Sequence, residues 1–283
     1  VKVHLVSARF TNYRWGFGND VFDALIDAGH TVIDTDYRLD GPAIAERLKL
    51  PCDLLLALKA EGIPPEAIRA CPAFTVLWYP DDLIALEHAA KQIDYNGRAF
   101  DRVYGISKWD LGEYKKRGLR DVRWLPLACN PEIHKKLRRV RKRYDLVFVG
   151  NLDEQREVLI ERLRKRWWVH VARAFGADMV RLFNEARIVL NLTAGPGNMN
   201  HRLFEALACG SMLLTNQPPP DSRIFKDGKH LVYYTWANID EKIGYYLAHE
   251  KERERIARAG RREVLAKHTV AHRVERIIKE MEQ

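Results

Sequence analysis

Two rhythms alternate along this chain. Short runs that are apolar at nearly every position recur: "VKVHLVS" (1–7), "TVIDTD" (31–36), "CDLLLAL" (52–58), "FTVLWY" (74–79), "RVYGIS" (102–107) and "VRWLPL" (122–127). Between several of them the apolar positions follow a helical period, as in "DVFDALIDAG" (20–29) and "GPAIAERLK" (41–49). Strands that are apolar on both faces, alternating with helices, predict a parallel sheet covered on each side. A polar run at 135–143 interrupts the rhythm. It then restarts with "YDLVFVGN" (144–151), a helix over 154–166, "WWVHVA" (167–172), a helix over 178–185, "RIVLNLTA" (187–194), a helix over 201–209, "SMLLTN" (211–216) and "HLVYY" (230–234). From "NIDEKIGYYLAHE" (238–250) to the end only helical patterns follow.

Two αβ blocks joined by a polar linker predict an α/β chain with two Rossmann-like domains facing across a cleft, closed by C-terminal helices. The expected divisions are 1–143, 144–265 and a final helix over 266–283. Ligands of open α/β sheets bind beyond the carboxyl ends of the strands. The residues that follow each strand are therefore the candidates for function.

Composition narrows the picture. With 47% hydrophobic and 30% charged residues, the chain is globular rather than disordered. No apolar run approaches the ~18 residues of a membrane span, and the start reads as a strand rather than a signal peptide. Cys52, Cys71, Cys129 and Cys209 show no C-x-x-C spacing, which predicts reduced thiols in a cytoplasmic protein and no zinc site. A net charge of +9 calls for an anionic partner: nucleic acid, lipid headgroups or a phosphorylated small molecule. The charge is clustered, with seven basic residues among the nine of "KKLRRVRKR" (135–143) and four among the five of "RLRKR" (162–166). The plain alternative is a solvated linker and a solvated helix face.

Two loops carry the chemistry. "LVFVGNLDEQR" places Gly150 and Asn151 between a strand and a helix, with Arg156 one turn further on. A glycine lets a ligand approach the backbone, and unpaired N–H groups at the helix start attract an anion. The same glycine can equally be a simple turn. "RIVLNLTAGPGNMNHRLFEALACG" repeats the layout with a Gly-Pro-Gly loop before a helix that carries Arg202 and Glu205. A carboxylate there can accept two hydrogen bonds from a ribose diol, while Arg202 either holds it or meets phosphate. A surface i,i+3 ion pair is the alternative, but the helix is otherwise too apolar to be solvated.

"RLFEALACGSMLLTN", then "IFKDGKHLVYY", "IGYYLAHEKERERIARAG" and "HTVAHRVERI", closely resemble the C-terminal half of the CgeB-type (spore maturation protein) glycosyltransferases, and "LVFVGN" and "ARIVLNL" fit the same family. The resemblance covers roughly 145–280. It implies kinship with group 1 glycosyltransferases of the GT-B fold, in which the C-terminal domain binds the nucleotide-sugar. Carried over, Glu205 is the ribose ligand, Gly150, Asn151 and Arg156 lie at the diphosphate and sugar, and Asn198 and Arg202 complete the cradle. Group 1 enzymes usually carry a second glutamate seven residues before the first; here that position is Asn198. The implied co-substrate is a nucleotide-sugar, UDP-sugar first, with no metal or other cofactor required.

The acceptor side falls to the first half. "LWYPDD" ends its strand in Trp78, Tyr79, Asp81 and Asp82, aromatics beside carboxylates, which suits a sugar or a base with Asp81 or Asp82 as general base. The competing reading is that the aspartates cap the next helix. "SARFTNYRWGFGND" adds Arg14, Trp15 and Gly18 as acceptor-side candidates, with Gly16 beside them. "DTD" (34–36) matches an Asp-x-Asp metal motif but sits in the wrong domain and reads as an incidental acid pair. His4 and His170 fall inside strands and read as structural.

The expected activity is transfer of a sugar from a nucleotide donor to an anionic acceptor. That acceptor is either DNA with modified bases, as for phage-type enzymes, or a cell-surface glycan or lipid precursor. For DNA, phosphates would meet 135–143 and Lys115, Lys116 and Arg117. The competing class is a non-catalytic sugar- or nucleotide-binding, coat-associated relative. A Rossmann oxidoreductase fits poorly, since the first strand lacks G-x-G-x-x-G.

Overall fold

The computed structural model describes residues 1–9, 16–38, 40–193, 199–218 and 223–281. Its contacts divide the chain into two compact units, Val1–Leu127 with Val270–Gln283, and Ala128–Thr269.

Unit 1 contains β1 (Lys2–Ser7), α1 (Phe17–Asp27), β2 (Thr31–Asp36), a 3₁₀ turn (Gly41–Ala43), α2 (Ile44–Arg47), β3 (Leu54–Leu58), α3 (Pro65–Arg69), β4 (Phe74–Tyr79), α4 (Glu87–Asn96), β5 (Arg102–Gly105), α5 (Leu111–Lys116) and β6 (Val122–Trp124). The six strands are parallel in the order β2-β1-β3-β4-β5-β6. Every residue of β3, "LLLAL", is buried, as a strand covered on both faces requires. Burying each of these leucines is worth roughly 1.5–3 kcal/mol.

Unit 2 contains β7 (Tyr144–Val149), α6 (Glu154–Arg164), β8 (Val169–Ala172), α7 (Gly176–Glu185), β9 (Ala186–Asn191), α8 (His201–Ala208), β10 (Met212–Asn216), β11 (Val232–Tyr234), α9 (Ile239–Ala248) and α10 (Glu250–Lys267). Its parallel sheet runs β11-β10-β9-β7-β8. Both units are thus Rossmann-like, and nearly every strand expected from the hydrophobic rhythm is present.

The divisions differ from those expected. The break falls at 127/128 rather than 143/144, so the basic run belongs to unit 2. The last helix, α11 (Val270–Met281), belongs to unit 1. Its apolar stripe of Val270, Val274, Ile277 and Ile278 is buried, and it packs beside α1. Polar bonds fix its position at both ends. The Arg273 guanidinium donates to the Pro126 and Leu127 carbonyls at 2.7 and 3.1 Å. Tyr104 Oη and Arg123 Nη1 donate to the Glu280 carboxylate at 2.8 and 2.9 Å, and Arg102 Nη1 donates to the Glu280 carbonyl at 2.6 Å.

Candidate functional site

In unit 2 the first strand, β7, has β8 on one side and β9 on the other, so the connections diverge between β7 and β9. The carboxyl ends of those two strands define the crevice where such sheets bind ligands. Gly150 and Asn151 follow β7, and Leu192 and Thr193 follow β9.

Asp153 caps α6 by accepting from the Arg156 N–H at 2.9 Å, a cap worth about 1 kcal/mol. That cap places the Arg156 side chain in the first turn. Its guanidinium donates to the Asn151 carbonyl at 3.0 Å and the Leu192 carbonyl at 3.2 Å, tying the two strand ends together. Arg202 reaches the same place from α8, with Nε donating to the Val149 carbonyl at 2.5 Å. Among the described residues no carboxylate lies within ion-pair distance of Arg202, and its partner is the Val149 carbonyl. Two guanidiniums and the start of α8 thus converge at the carboxyl edge, an arrangement suited to an anion.

Asparagines hold this edge in register. Asn200 caps α8 by accepting from the Leu203 N–H at 3.3 Å, and its Nδ2 donates to Asn191 Oδ1 at 3.1 Å. Asn191 Nδ2 in turn donates to Thr215 Oγ1. Thr193 and Asn216 exchange two hydrogen bonds, at 3.0 and 2.6 Å. A small cavity of about 80 Å³ lies here, lined in part by Arg156, Thr193, Asn216, Tyr234 and Trp236.

Glu205 does not pair with Arg202. Its side chain, 14% exposed, faces His134 instead, with Oε1 3.7 Å from Nε2. Its Oε2 is buried and has no hydrogen-bond partner among the described residues. A buried carboxylate oxygen left unpaired costs free energy unless something fills the place. His134 Nδ1 accepts from the Asn130 N–H at 3.1 Å, which leaves the neutral ring's proton on Nε2, toward Glu205. Burial lowers the His134 pKa, and Glu205 offsets part of that fall. His134 escapes a sequence reading because it lies 71 positions from its partner, just before the run that reads as linker.

In unit 1 several expectations need correction. Trp78 and Tyr79 are fully buried and form core rather than an acceptor-binding face. The Trp78 ring stands edge-on to Phe17 at 4.7 Å, and its Nε1 donates to the Leu125 carbonyl. Asp82 is 1% exposed and turned inward, where Oδ1 accepts from the Ile84 and Ala85 N–H groups. It therefore shapes the turn after β4 and cannot reach an acceptor hydroxyl. Asp81 is the outward carboxylate, 3.2 Å from Lys59 and 3.3 Å from His88. Lys59 and Ala60 both adopt left-handed backbone angles at the end of β3, a strained turn that aims Lys59 at Asp81. A Cβ on Gly18 would strike Ser7 Oγ at 2.6 Å and the Ala8 carbonyl at 2.8 Å, so only glycine lets α1 start this close to the end of β1. Arg14, Trp15 and Asn198 lie outside the described residues. Asp34 and Asp36 are ion-paired with Arg9 and Arg38 at 2.7 and 2.6 Å. Among the described residues no group of three His, Cys, Asp or Glu side chains is disposed to hold a metal ion, and no helix is long and apolar enough to cross a membrane.

A family profile described as glycosyl transferase-like matches residues 131–279, just over half of the chain. The chain belongs to that family. Comparison with curated protein sequences returned no match. Among solved structures this glycosyl transferase-like chain is similar to Anabaena HepE in complex with UDP-glucose, at 12% identity and a TM-score of 0.66, with 99% of each chain covered. It is also similar to sucrose-phosphate synthase from Thermosynechococcus elongatus, at 12% identity and a TM-score of 0.70, covering 99% of this chain and 98% of that one. A third is the E. coli trehalose-6-phosphate protein bound with UDP-2-fluoro glucose, at 10% identity and a TM-score of 0.68, covering 100% and 99%. These likenesses show the fold: two parallel-sheet Rossmann-like domains of the GT-B type with C-terminal helices.

Proposed function

We propose that this chain transfers a sugar from a UDP-sugar to an acceptor hydroxyl, as a CgeB-type, group 1-related glycosyltransferase. The observation that carries the reading is Glu205: a carboxylate in the family-matched helix, with one oxygen buried and unpartnered among the described residues. It accepts the ribose hydroxyls. Arg156, Arg202 and the start of α8 take the diphosphate, where negative charge grows as the glycosidic bond breaks. Gly150 and Asn151 lie beside the diphosphate and sugar, and Asn198 completes the cradle. In unit 1 the base is Asp81, the outward member of its pair. The UDP-sugar complexes among the similar structures support UDP as the nucleotide. The acceptor is anionic, either a modified base in DNA or a cell-surface glycan, given a net charge of +9. Four free thiols fit a cytoplasmic setting.

Calorimetric titration of UDP, GDP, ADP and dTDP into the wild type and Glu205→Ala tests the donor site. UDP is expected to bind most tightly, with a loss of at least tenfold in the variant, the effect of removing charged hydrogen bonds of ~1.5–3 kcal/mol. Equal binding by both proteins would refute the ribose assignment. Binding without release of UDP from any UDP-sugar would favour a non-catalytic relative.

A further inference from the structure

The amino-terminal edge of the unit 2 sheet carries a groove that the donor site does not use. It encloses about 1000 Å³ and runs along α7 from Ala177 to Glu185, beside the starts of β8 and β9 and the stretch just before β7. Because the strands are parallel, this edge is the opposite one from the crevice. Where the groove meets the start of β7, the six residues of that strand separate it from the crevice by about 20 Å.

Its chemistry is narrow. Five basic side chains line it: Arg141, Lys142, Arg143, Arg181 and Arg187. Trp168, 60% exposed, stands among them. The Trp168 backbone N–H donates to Asp145 at 3.1 Å, and Tyr144 meets the indole edge-on at 5.2 Å. Two acids share the lining. Glu185 is only 7% exposed and already engaged by Arg181 at 3.0 Å and Arg143 at 3.7 Å; Asp178 is exposed. Among the described residues no Ser, Thr, Asn, Gln or Tyr side chain lines the groove. Arg138 and Arg139, exposed just before it, extend the positive track.

We infer that this groove binds single-stranded nucleic acid, with phosphates on the arginines and a base stacked on Trp168. Guanidinium groups pair with phosphate in a bidentate manner, and an exposed indole accepts any base on its face. A neutral glycan offers no negative charge to the five basic side chains. A flat bilayer cannot enter a concave groove, and basic side chains outnumber Leu137, Val140 and Ala177 in its lining. The groove shares no residue with the donor site, while Arg141, Lys142 and Arg143 belong to the basic run that a DNA acceptor would meet, so in that respect the inference deepens the proposed function.

Fluorescence anisotropy with a labelled twelve-nucleotide dT strand, at 50 and 200 mM salt, tests it. The probe is expected to bind the wild type with a steep salt dependence. Trp168→Ala is expected to lose about tenfold in affinity. Arg141→Ala is expected to lower the slope of log affinity against log salt by about one. Both variants should keep the wild type's UDP titration, and Glu205→Ala should keep wild-type strand affinity. The melting temperature of each variant checks its folding. Strand binding that neither variant weakens would overturn the inference. So would an affinity for heparin or for anionic vesicles that exceeds that for the strand, or a mononucleotide that competes as well as the strand does.

Discussion

Asp110 is the sharpest test of the packing in unit 1. It is fully buried just before α5, where Oδ2 accepts from the Leu83 N–H at 3.1 Å. Its Oδ1 and the Oδ2 of Asp82 are buried without hydrogen-bond partners among the described residues. Burial drives the Asp110 pKa up, the Leu83 bond draws it partly back, and the Asp82 charge adds to the rise, which reaches about 7 from an ordinary 3.8. The folded state therefore holds this proton more tightly than the unfolded chain does. The stability it confers is complete below pH 3.8 and is lost as the pH rises through 7. At 1.36 kcal/mol per pKa unit, the loss amounts to about 4 kcal/mol. Asp110→Asn mimics the protonated acid: its Oδ1 can still accept from Leu83, and its amide can donate toward Asp82. The variant is expected to match the wild type near pH 4 and to exceed it by up to ~4 kcal/mol at pH 8. Hydrogen exchange in urea, followed by mass spectrometry on peptides from β5 and α5, reads unit 1 separately from unit 2. Taking the difference between variant and wild type cancels the groups they share. A difference that is flat from pH 4 to 8, or a variant less stable at pH 8, would refute the buried-proton reasoning.

The other expectations are simpler. Gly260→Ala places a Cβ against the His230 carbonyl and 2.8 Å from Leu207 Cδ2; the backbone cannot yield, so a loss of roughly 1–3 kcal/mol is expected despite the gain in helix propensity, and an unchanged urea midpoint for unit 2 would contradict it. Burial raises the Glu280 pKa, but the bonds from Arg276, Tyr104 and Arg123 outweigh it and hold the group at about 2. Its stabilisation is thus present above pH 4.5 and fades as the pH falls toward 2, so Glu280→Gln should cost about 2 kcal/mol at pH 7 and flatten the acid limb of unit 1 unfolding. Arg202→Ala should weaken UDP binding about tenfold or more while leaving uridine binding nearly unchanged; equal losses for both would place Arg202 away from phosphate.

Much of this protein was legible from local pattern. Near-continuous apolar runs such as "LLLAL" can only be strands covered on both faces, and their alternation with helical segments dictated two parallel αβ sheets. The same logic pointed to the ends of β7 and β9, and to Glu205 in a helix with almost no solvated surface. Local pattern could not separate an aromatic strand end that lines a site from one that fills a core, so Trp78 and Tyr79 were misplaced. Nor could spacing choose partners: Arg202 and Glu205, three apart, turn to Val149 and His134. The tertiary structure decided these points because the deciding contacts join distant positions. Arg123 and Glu280, 157 residues apart, bring the last helix back to the first unit. Hydrophobic periodicity is a property of neighbours along the chain, whereas charge pairing and burial depend on which elements meet in space.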